Sequence, residues 1–187
     1  MLRGLVVLLA PAIFVATVLA DDQPRQKGSA GDEQSHFSEE LLVAPIQKPS
    51  KLPEGLLQQL RTDSIAVKAS KPCPKQNGSS DEIDASWFQT SEIHLDGPDE
   101  IDLIVLPRNQ CLNGVNVGPF WIARKLDNEY RLILSTGGHD LEILNTRYRG
   151  YRDVRVSTAT ATMITTIDYR FNGLQYQKHD TTTKPIE

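Results

Sequence analysis

Residues 169–176 read Tyr169-Arg170-Phe171-Asn172-Gly173-Leu174-Gln175-Tyr176 and carry the clearest fold signal in this chain of 187 residues. Asn-Gly suits a tight two-residue turn, because both residues tolerate the positive φ angles that such turns require. The flanking segments are rich in aromatic residues, which favour strands. This stretch therefore predicts a β-hairpin, in which the two strands run antiparallel.

The same pattern of short strands separated by turn residues extends back to Trp87. Candidate strands cover residues 87–94, 101–106, 119–126, 130–136, 140–146, 152–157, 163–171 and 174–178. Short connections such as Asp127-Asn128 and Gly137-Gly138 indicate hairpins, so we expect no doubly wound nucleotide-binding sheet. The sequence predicts a mainly β (α+β) fold built on a twisted antiparallel meander sheet.

The β-rich part also shows internal similarity. Residues 101–105 align with residues 152–156, and residues 120–124 align with residues 167–171. The offsets, 46 to 51 residues when the following Tyr130 and Tyr176 are included, are typical of propeller blades. Two units are too few to close a propeller, which has about four blades or more. Two duplicated blade-like units and a chance likeness between hairpins both fit this pattern.

One helix is expected ahead of the strands, packed on the sheet. Pro53 suits the first turn of a helix. An apolar stripe follows at helical spacing, made of Leu56, Leu57 and Leu60. The helix is expected to end near Ser64, because the next residues include β-branched Ile65 and Val67.

The two ends of the chain differ from its centre. Residues 1–20 have a basic start, an apolar run and small residues before Asp21, the pattern of a cleaved export signal, with an uncleaved anchor as the alternative. Residues 21–50 are polar and interrupted by prolines, which predicts a disordered tail and linker. We expect a single β-rich domain at residues 51–180 and a disordered C-terminus at residues 181–187.

If the protein is exported, the oxidation state of its two cysteines can be predicted. Cys73 and Cys111 would reach an oxidising compartment, where a disulfide is the expected state. Neither belongs to a C-x-x-C motif, so zinc binding and redox chemistry are poor alternatives. The sequence predicts a secreted or periplasmic protein that has no transmembrane segment once the signal is cleaved.

Charge is distributed unevenly along the chain. The formal net charge of −4 argues against nucleic-acid binding, which rewards a basic excess. Residues 21–110 hold 9 basic and 16 acidic groups, whereas residues 111–187 hold 10 basic and 8 acidic groups. The two parts therefore carry −7 and +2, which indicates either a solvated acidic tail or a charge polarity across the molecule.

The most unusual local composition is the basic and aromatic stretch at residues 147–155, which contains four arginines. If this stretch is one extended strand, one face carries Arg147, Arg149, Tyr151 and Arg155, with Asp153 among them. Such a face could hold an anionic ligand, either a cell-wall glycan or lipid headgroups. The alternative is a solvated strand edge whose charges discourage aggregation.

No motif in the sequence predicts catalysis. A G-x-S-x-G elbow, a P-loop and a zincin helix are all missing from it. The acidic residues Asp96, Asp99, Glu100 and Asp102 are numerous enough for a carboxylate-dependent hydrolase, but nothing places them opposite a substrate. We expect no catalytic residue, cofactor or metal. The predicted function is a binding module of the cell envelope that contacts an envelope polymer or a secreted protein; inhibition of an extracellular enzyme and hydrolysis are the alternatives.

Several short segments also carry a family resemblance. They are Trp87-Phe88, residues 93–97, residues 102–105, residues 111–114, residues 118–121 and the hairpin at residues 169–176. Together they resemble small secreted bacterial proteins of uncharacterised function that contain an integrin-like (FG-GAP or VCBS-type) repeat motif. The resemblance implies a secreted β-rich domain and supplies no reaction. Such repeats typically bind Ca²⁺ through a run of Asp residues, but His94 and Pro98 stand at two ligand positions here, so we expect no calcium in this loop.

Overall fold

The computed structural model describes residues 34–38, 46–73, 83–113 and 117–186. These residues form two five-stranded antiparallel sheets and two helices, which confirms the predicted mainly β fold. The export signal predicted at residues 1–20 lies outside the described residues.

Each sheet is a meander of four consecutive strands with one short strand added at its edge. The strands are β1 (His36–Ser38), β2 (Pro49–Ser50), β3 (Phe88–Ile93), β4 (Asp102–Pro107), β5 (Gly118–Leu126), β6 (Glu129–Gly138), β7 (Asp140–Tyr148), β8 (Tyr151–Ala159), β9 (Met163–Phe171) and β10 (Tyr176–Pro185), and the helices are α1 (Glu54–Thr62) and α2 (Ser64–Ser70). The first sheet has the order β2-β3-β4-β5-β6 and the second has the order β1-β7-β8-β9-β10. We call β3–β6 the first meander and β7–β10 the second meander.

The first sheet is the middle layer of the molecule. One of its faces packs against the second sheet in a shared core that includes Ile104, Phe120 and Val154. Its other face packs against the two helices through residues such as Leu60 and Trp121. Among the described residues, the opposite face of the second sheet has no buried apolar cluster. The second meander is therefore the one with an open face.

Polar contacts attach the helices to the first sheet. The side-chain amide of Gln59 donates to the carbonyl of Tyr130 at 2.7 Å and accepts the N–H of Leu132 at 2.8 Å, so it pairs with edge strand β6 as a neighbouring strand would. Asp63 Oδ1 accepts the indole N–H of Trp121 at 2.8 Å. The predicted disulfide between Cys73 and Cys111 is present and ties the segment after α2 to the connection between β4 and β5.

Three predictions at the ends of the domain were wrong. The predicted single helix is two, because the Asp63 carboxylate accepts the N–H groups of Ile65 and Ala66 and so begins α2. Within the predicted disordered tail, residues 34–38 and 46–50 are ordered and include β1, with Phe37 buried in the core, and β2. Residues 21–33 and 39–45 of that prediction lie outside the described residues. Residues 181–185 are not disordered either, because they continue β10 along β9.

All eight predicted strands are present. Their ends agree with the prediction to within two residues, except at the C-terminal end of β10. The hairpin at residues 169–176 is also confirmed, but its loop has four residues, 172–175, because β9 ends at Phe171 and β10 begins at Tyr176.

Candidate functional site

The basic stretch at residues 147–155 is a hairpin. Arg149 and Gly150 have φ angles of +51° and +85°, which is the geometry of a two-residue turn joining β7 to β8. The chain reverses direction at this point, so the alternation of a single extended strand does not apply. The prediction that four of its side chains share one face was therefore wrong.

Arg147 and Tyr151 hold this turn against the loop that joins β3 to β4. Arg147 Nη1 donates to the carbonyl of Leu95 at 2.9 Å and to the carbonyl of Gly150 at 2.7 Å. The Tyr151 hydroxyl donates to Asp96 Oδ2 at 2.8 Å, and its pKa is raised by burial and by this hydrogen bond. These contacts are structural, because they join the two sheets.

Arg155 is paired with an acid on the neighbouring strand. Its Nε and Nη2 atoms donate to the two carboxylate oxygens of Asp168 at 2.7 and 2.9 Å. The pairing lowers the pKa of Asp168 and raises that of Arg155. Arg155 is thus paired with β9, and it is not among the residues that line a cleft with Arg149.

Asp102, in the acidic loop at residues 94–102, also makes structural contacts. Asp102 is 1% exposed, and its carboxylate accepts the N–H of Leu95 at 3.3 Å and the N–H of Lys125 at 3.0 Å. Burial raises the pKa of Asp102 to about 6. Asp102 therefore acts as an acceptor for the backbone of its own loop and of β5.

Two carboxylates of this loop make contacts within the protein. Both oxygens of Asp102 already accept N–H groups, and Asp96 accepts the Tyr151 hydroxyl. His94 Nδ1 contacts the carbonyl oxygen of Glu100 at 2.8 Å. Within the part of the chain that the structure describes, no group of three or more His, Cys, Asp or Glu residues is placed to hold a metal ion.

Arg149 instead lines an open cleft at the turn end of the second sheet. The cleft has a volume of about 240 Å³ and is lined by Tyr148, Arg149, Arg170, Phe171, Asn172, Gln177, Lys178 and His179. Two of these side chains are arginines, one is a lysine and one is a histidine, and no acidic residue is among them. We call this feature the basic cleft.

The ring of Tyr148 is one wall of the basic cleft, and this residue is 41% exposed. The guanidinium carbons of Arg149 and Arg170 each lie 5.5 Å from the centre of this ring, a distance at which the aromatic ring attracts cations. Because both distances are measured to the same ring centre, the two guanidinium carbons are no more than twice 5.5 Å apart.

Both arginines also contact polar groups of the protein. Arg149 Nη1 donates to the carbonyl of Asn172 at 3.0 Å, which links the β7–β8 turn to the β9–β10 loop. Arg170 Nε lies 3.7 Å from Asp153 Oδ2. A site whose donors are already positioned loses less entropy when it binds a ligand.

Sequence reasoning found Arg149 but missed the other cations of the basic cleft. Arg170 lies on β9, and Lys178 and His179 lie on β10, where the antiparallel register places Arg170 opposite Gln177. No local motif connects these residues to Arg149. The available signal was the charge of +2 on residues 111–187, which contain every residue of the cleft.

Comparisons with protein-family models, with curated proteins and with solved structures find no significant match to this chain. The resemblance to integrin-like repeats therefore stays a prediction. Among the described residues, no helix has the length and apolar character needed to cross a membrane.

Proposed function

We propose that this protein is a secreted or periplasmic binding module of the cell envelope and that it holds an anionic ligand in the basic cleft. The observation that carries the proposal is that Arg149, Arg170, Lys178 and His179 line one cleft together with the exposed Tyr148, and that no acidic residue lines it; Asp153, which pairs with Arg170, is buried.

The side chains of the basic cleft suit recognition of an anion. Arginine and lysine offer only hydrogen-bond donors, and their bonds to phosphate or carboxylate oxygens are charge-assisted. The amides of Asn172 and Gln177 add neutral donors and acceptors at the same place. Two of the four acidic residues considered for hydrolysis, Asp96 and Asp102, make structural contacts outside the cleft, which favours binding over catalysis.

The proposed compartment follows from two features. Residues 1–20 have the pattern of an export signal, and Cys73 and Cys111 form a disulfide, which is typical of oxidising compartments. An exported protein meets envelope polymers and lipids that carry phosphate or carboxylate groups, so these are the candidate ligands.

Titration with polyphosphate of defined length tests the proposal. We define the processed protein as residues 21–187 and expect it to bind this probe in a salt-dependent manner. Replacing Arg149, Arg170 and Lys178 together with Gln should weaken binding and reduce its salt dependence.

A matched control separates the basic cleft from overall charge. Lys51, Arg108 and Arg131 are exposed basic residues outside the cleft, so replacing these three with Gln changes the net charge equally. The control should retain most of the binding. Equal losses in both triple variants, with unfolding temperatures unchanged, would contradict the proposal.

A further inference from the structure

We infer that the anionic ligand is the surface of a lipid bilayer, and that the two hairpin turns at the end of the second meander dock onto it. This inference rests on the proposed function, because the basic cleft supplies the contacts with the headgroups. It adds a partner of stated chemistry: a bilayer whose headgroups are anionic.

The first observation is an exposed apolar side chain beside the basic cleft. Leu174 is 67% exposed, the largest exposure of any large apolar residue in the part of the chain that the structure describes. It lies in the β9–β10 loop, which Arg149 links to the neighbouring β7–β8 turn through the carbonyl of Asn172. Leu174 and Tyr148 are therefore presented from two connected turns.

The loop that carries Leu174 has a defined conformation. Asn172 Oδ1 accepts the N–H groups of Leu174 and Gln175 at 2.8 and 3.0 Å, and the N–H of Asn172 donates to the carbonyl of Gln175. Gly173 supplies the positive φ of +109° that the loop requires. An apolar side chain on an ordered turn can enter an apolar phase without the cost of ordering that turn first.

The spacing between Leu174 and the cations suits a bilayer. Arg170 and Lys178 are four residues before and after Leu174 in the chain, on strands that rise about 3.3 Å per residue. They lie within about 10 Å of the loop along the strands, which is comparable to the thickness of a headgroup layer. If Leu174 enters the acyl boundary, Arg149, Arg170 and Lys178 reach the headgroup phosphates.

The composition of both turns favours a bilayer over a soluble polymer. Residues 148–151 and 172–176 contain no acidic residue. The β3–β4 loop that packs against the first turn does carry two exposed acids, Asp99 and Glu100, so the preference for a bilayer rests on the apolar groups of the turns. Tyrosine has an apolar ring and a polar hydroxyl and is enriched at membrane interfaces. A soluble polyanion would pair with the arginines but would leave Leu174 in water, whereas a bilayer accommodates both groups.

Vesicle sedimentation with the processed protein tests the inference. We expect salt-sensitive binding to vesicles of phosphatidylglycerol and phosphatidylcholine, and weak binding to vesicles of phosphatidylcholine alone. Leu174→Ser should lower the affinity for anionic vesicles roughly tenfold, since burial of a leucine side chain is lost. Arg170→Gln should lower it roughly fivefold, as expected for one basic residue at an anionic surface.

The matched control for Leu174 is Ile164→Ser. Ile164 is also exposed but lies at the opposite end of β9, so its replacement should leave vesicle binding unchanged. Soluble polyphosphate is the second arm of the experiment, and Leu174→Ser should not affect binding to it.

The outcomes distinguish the inference from the proposed function. If wild type binds polyphosphate but not anionic vesicles, or if Leu174→Ser binds vesicles as tightly as wild type, the membrane inference is overturned and the basic cleft remains. If the triple Gln variant of the cleft binds both probes as tightly as wild type, the proposed function fails as well.

Discussion

The first and second meanders share an internal framework but differ in what covers them. Each has a buried aspartate near the start of its second strand: Asp102 on β4 and Asp153 on β8 are 1% and 5% exposed. The segments aligned by sequence occupy equivalent strands, because residues 102–105 and 152–156 fall on the second strands and residues 120–124 and 167–171 fall on the third. The internal similarity thus corresponds to equivalent positions in the structure.

The two meanders also share a tyrosine hydrogen bond at corresponding positions. Tyr130, on the fourth strand of the first meander, donates its hydroxyl to the carbonyl of Ile101, the residue before Asp102. Tyr176, on the fourth strand of the second meander, donates to the carbonyl of Arg152, the residue before Asp153. In both units a tyrosine hydroxyl on the fourth strand donates to the carbonyl of the residue before the buried aspartate.

What differs is the outer face. Helices α1 and α2 and the disulfide cover the outer face of the first meander, whereas the second meander ends in open turns that carry the basic cleft. The aspartates follow this division: Asp102 accepts two backbone N–H groups, and Asp153 accepts a hydroxyl from Thr146 and lies near Arg170 of the cleft. The first meander is covered by the helices, and the second meander carries the candidate site.

The largest expected effect on the free energy of unfolding comes from removing the disulfide beside the helices that cover the first meander. Replacing Cys73 and Cys111 together with Ser opens a loop with 37 residues between the two positions, which in the chain-entropy model costs about 4 kcal/mol of unfolding free energy. Urea unfolding of both proteins measures this difference. A loss below about 1 kcal/mol would show that the helices are held by packing alone, without an entropic contribution from the disulfide.

The next largest effect is a pH dependence of the free energy of unfolding that originates in Asp102. Its folded-state pKa of about 6 lies above the ordinary value of 3.8, so the folded protein binds this proton more tightly than the unfolded chain. The stability from this group is therefore complete below pH 4 and is lost as the pH rises through 6, a change of about 3 kcal/mol. Asp168 acts in the opposite direction, because its pKa is lowered.

Comparison with Asp102→Asn isolates the Asp102 effect. The variant loses one acceptor and should be less stable than wild type at pH 4, and this difference should shrink by up to about 3 kcal/mol at pH 7. Asp99→Asn, an exposed change in the same loop, is the control. A difference that stays constant between the two pH values would contradict the assignment.

The third prediction concerns the junction between α1, α2 and the first sheet. Asp63→Ala removes the acceptor for two N–H groups of α2 and for the buried indole of Trp121, so we expect a loss of about 2 kcal/mol. The control is Asp84→Ala, which removes an exposed cap that accepts only from Ser86 and should cost about 0.5 kcal/mol. Equal losses measured by urea unfolding would mean that the bond to Trp121 contributes nothing.

The strands could be predicted from the sequence where alternating apolar residues were bounded by turn residues, as in β9. The missed elements have no such signal. Phe37 is the buried anchor of β1, and the second half of β10 is a threonine-rich edge that resembles a tail until β9 is there to pair with it. Asp63 was overlooked because β-branched Ile65 suggested that the helix had ended.

The candidate site was harder to predict than the fold. Alternation placed Arg147, Arg149 and Arg155 together, but the turn at Arg149-Gly150 separates them, and only Arg149 of the three lines the cleft. The residues that join Arg149 come from β9 and β10 and become neighbours only through strand pairing. Residues contributed by several strands leave no motif in the sequence.

The smallest expected effect compares the two equivalent tyrosines directly. Tyr176→Phe removes a hydroxyl that donates at 2.6 Å inside the core, whereas Tyr130→Phe removes one that donates at 3.2 Å in a partly buried position. Because a buried carbonyl left without its donor cannot recruit water, we expect losses of about 1.5 and 0.5 kcal/mol respectively. Urea unfolding of both variants and of the double variant provides the test, and the two losses should add because the tyrosines lie in different sheets. If Tyr130→Phe costs as much as Tyr176→Phe, the hydrogen bond matters equally in both meanders, and the helices alone account for the difference between them.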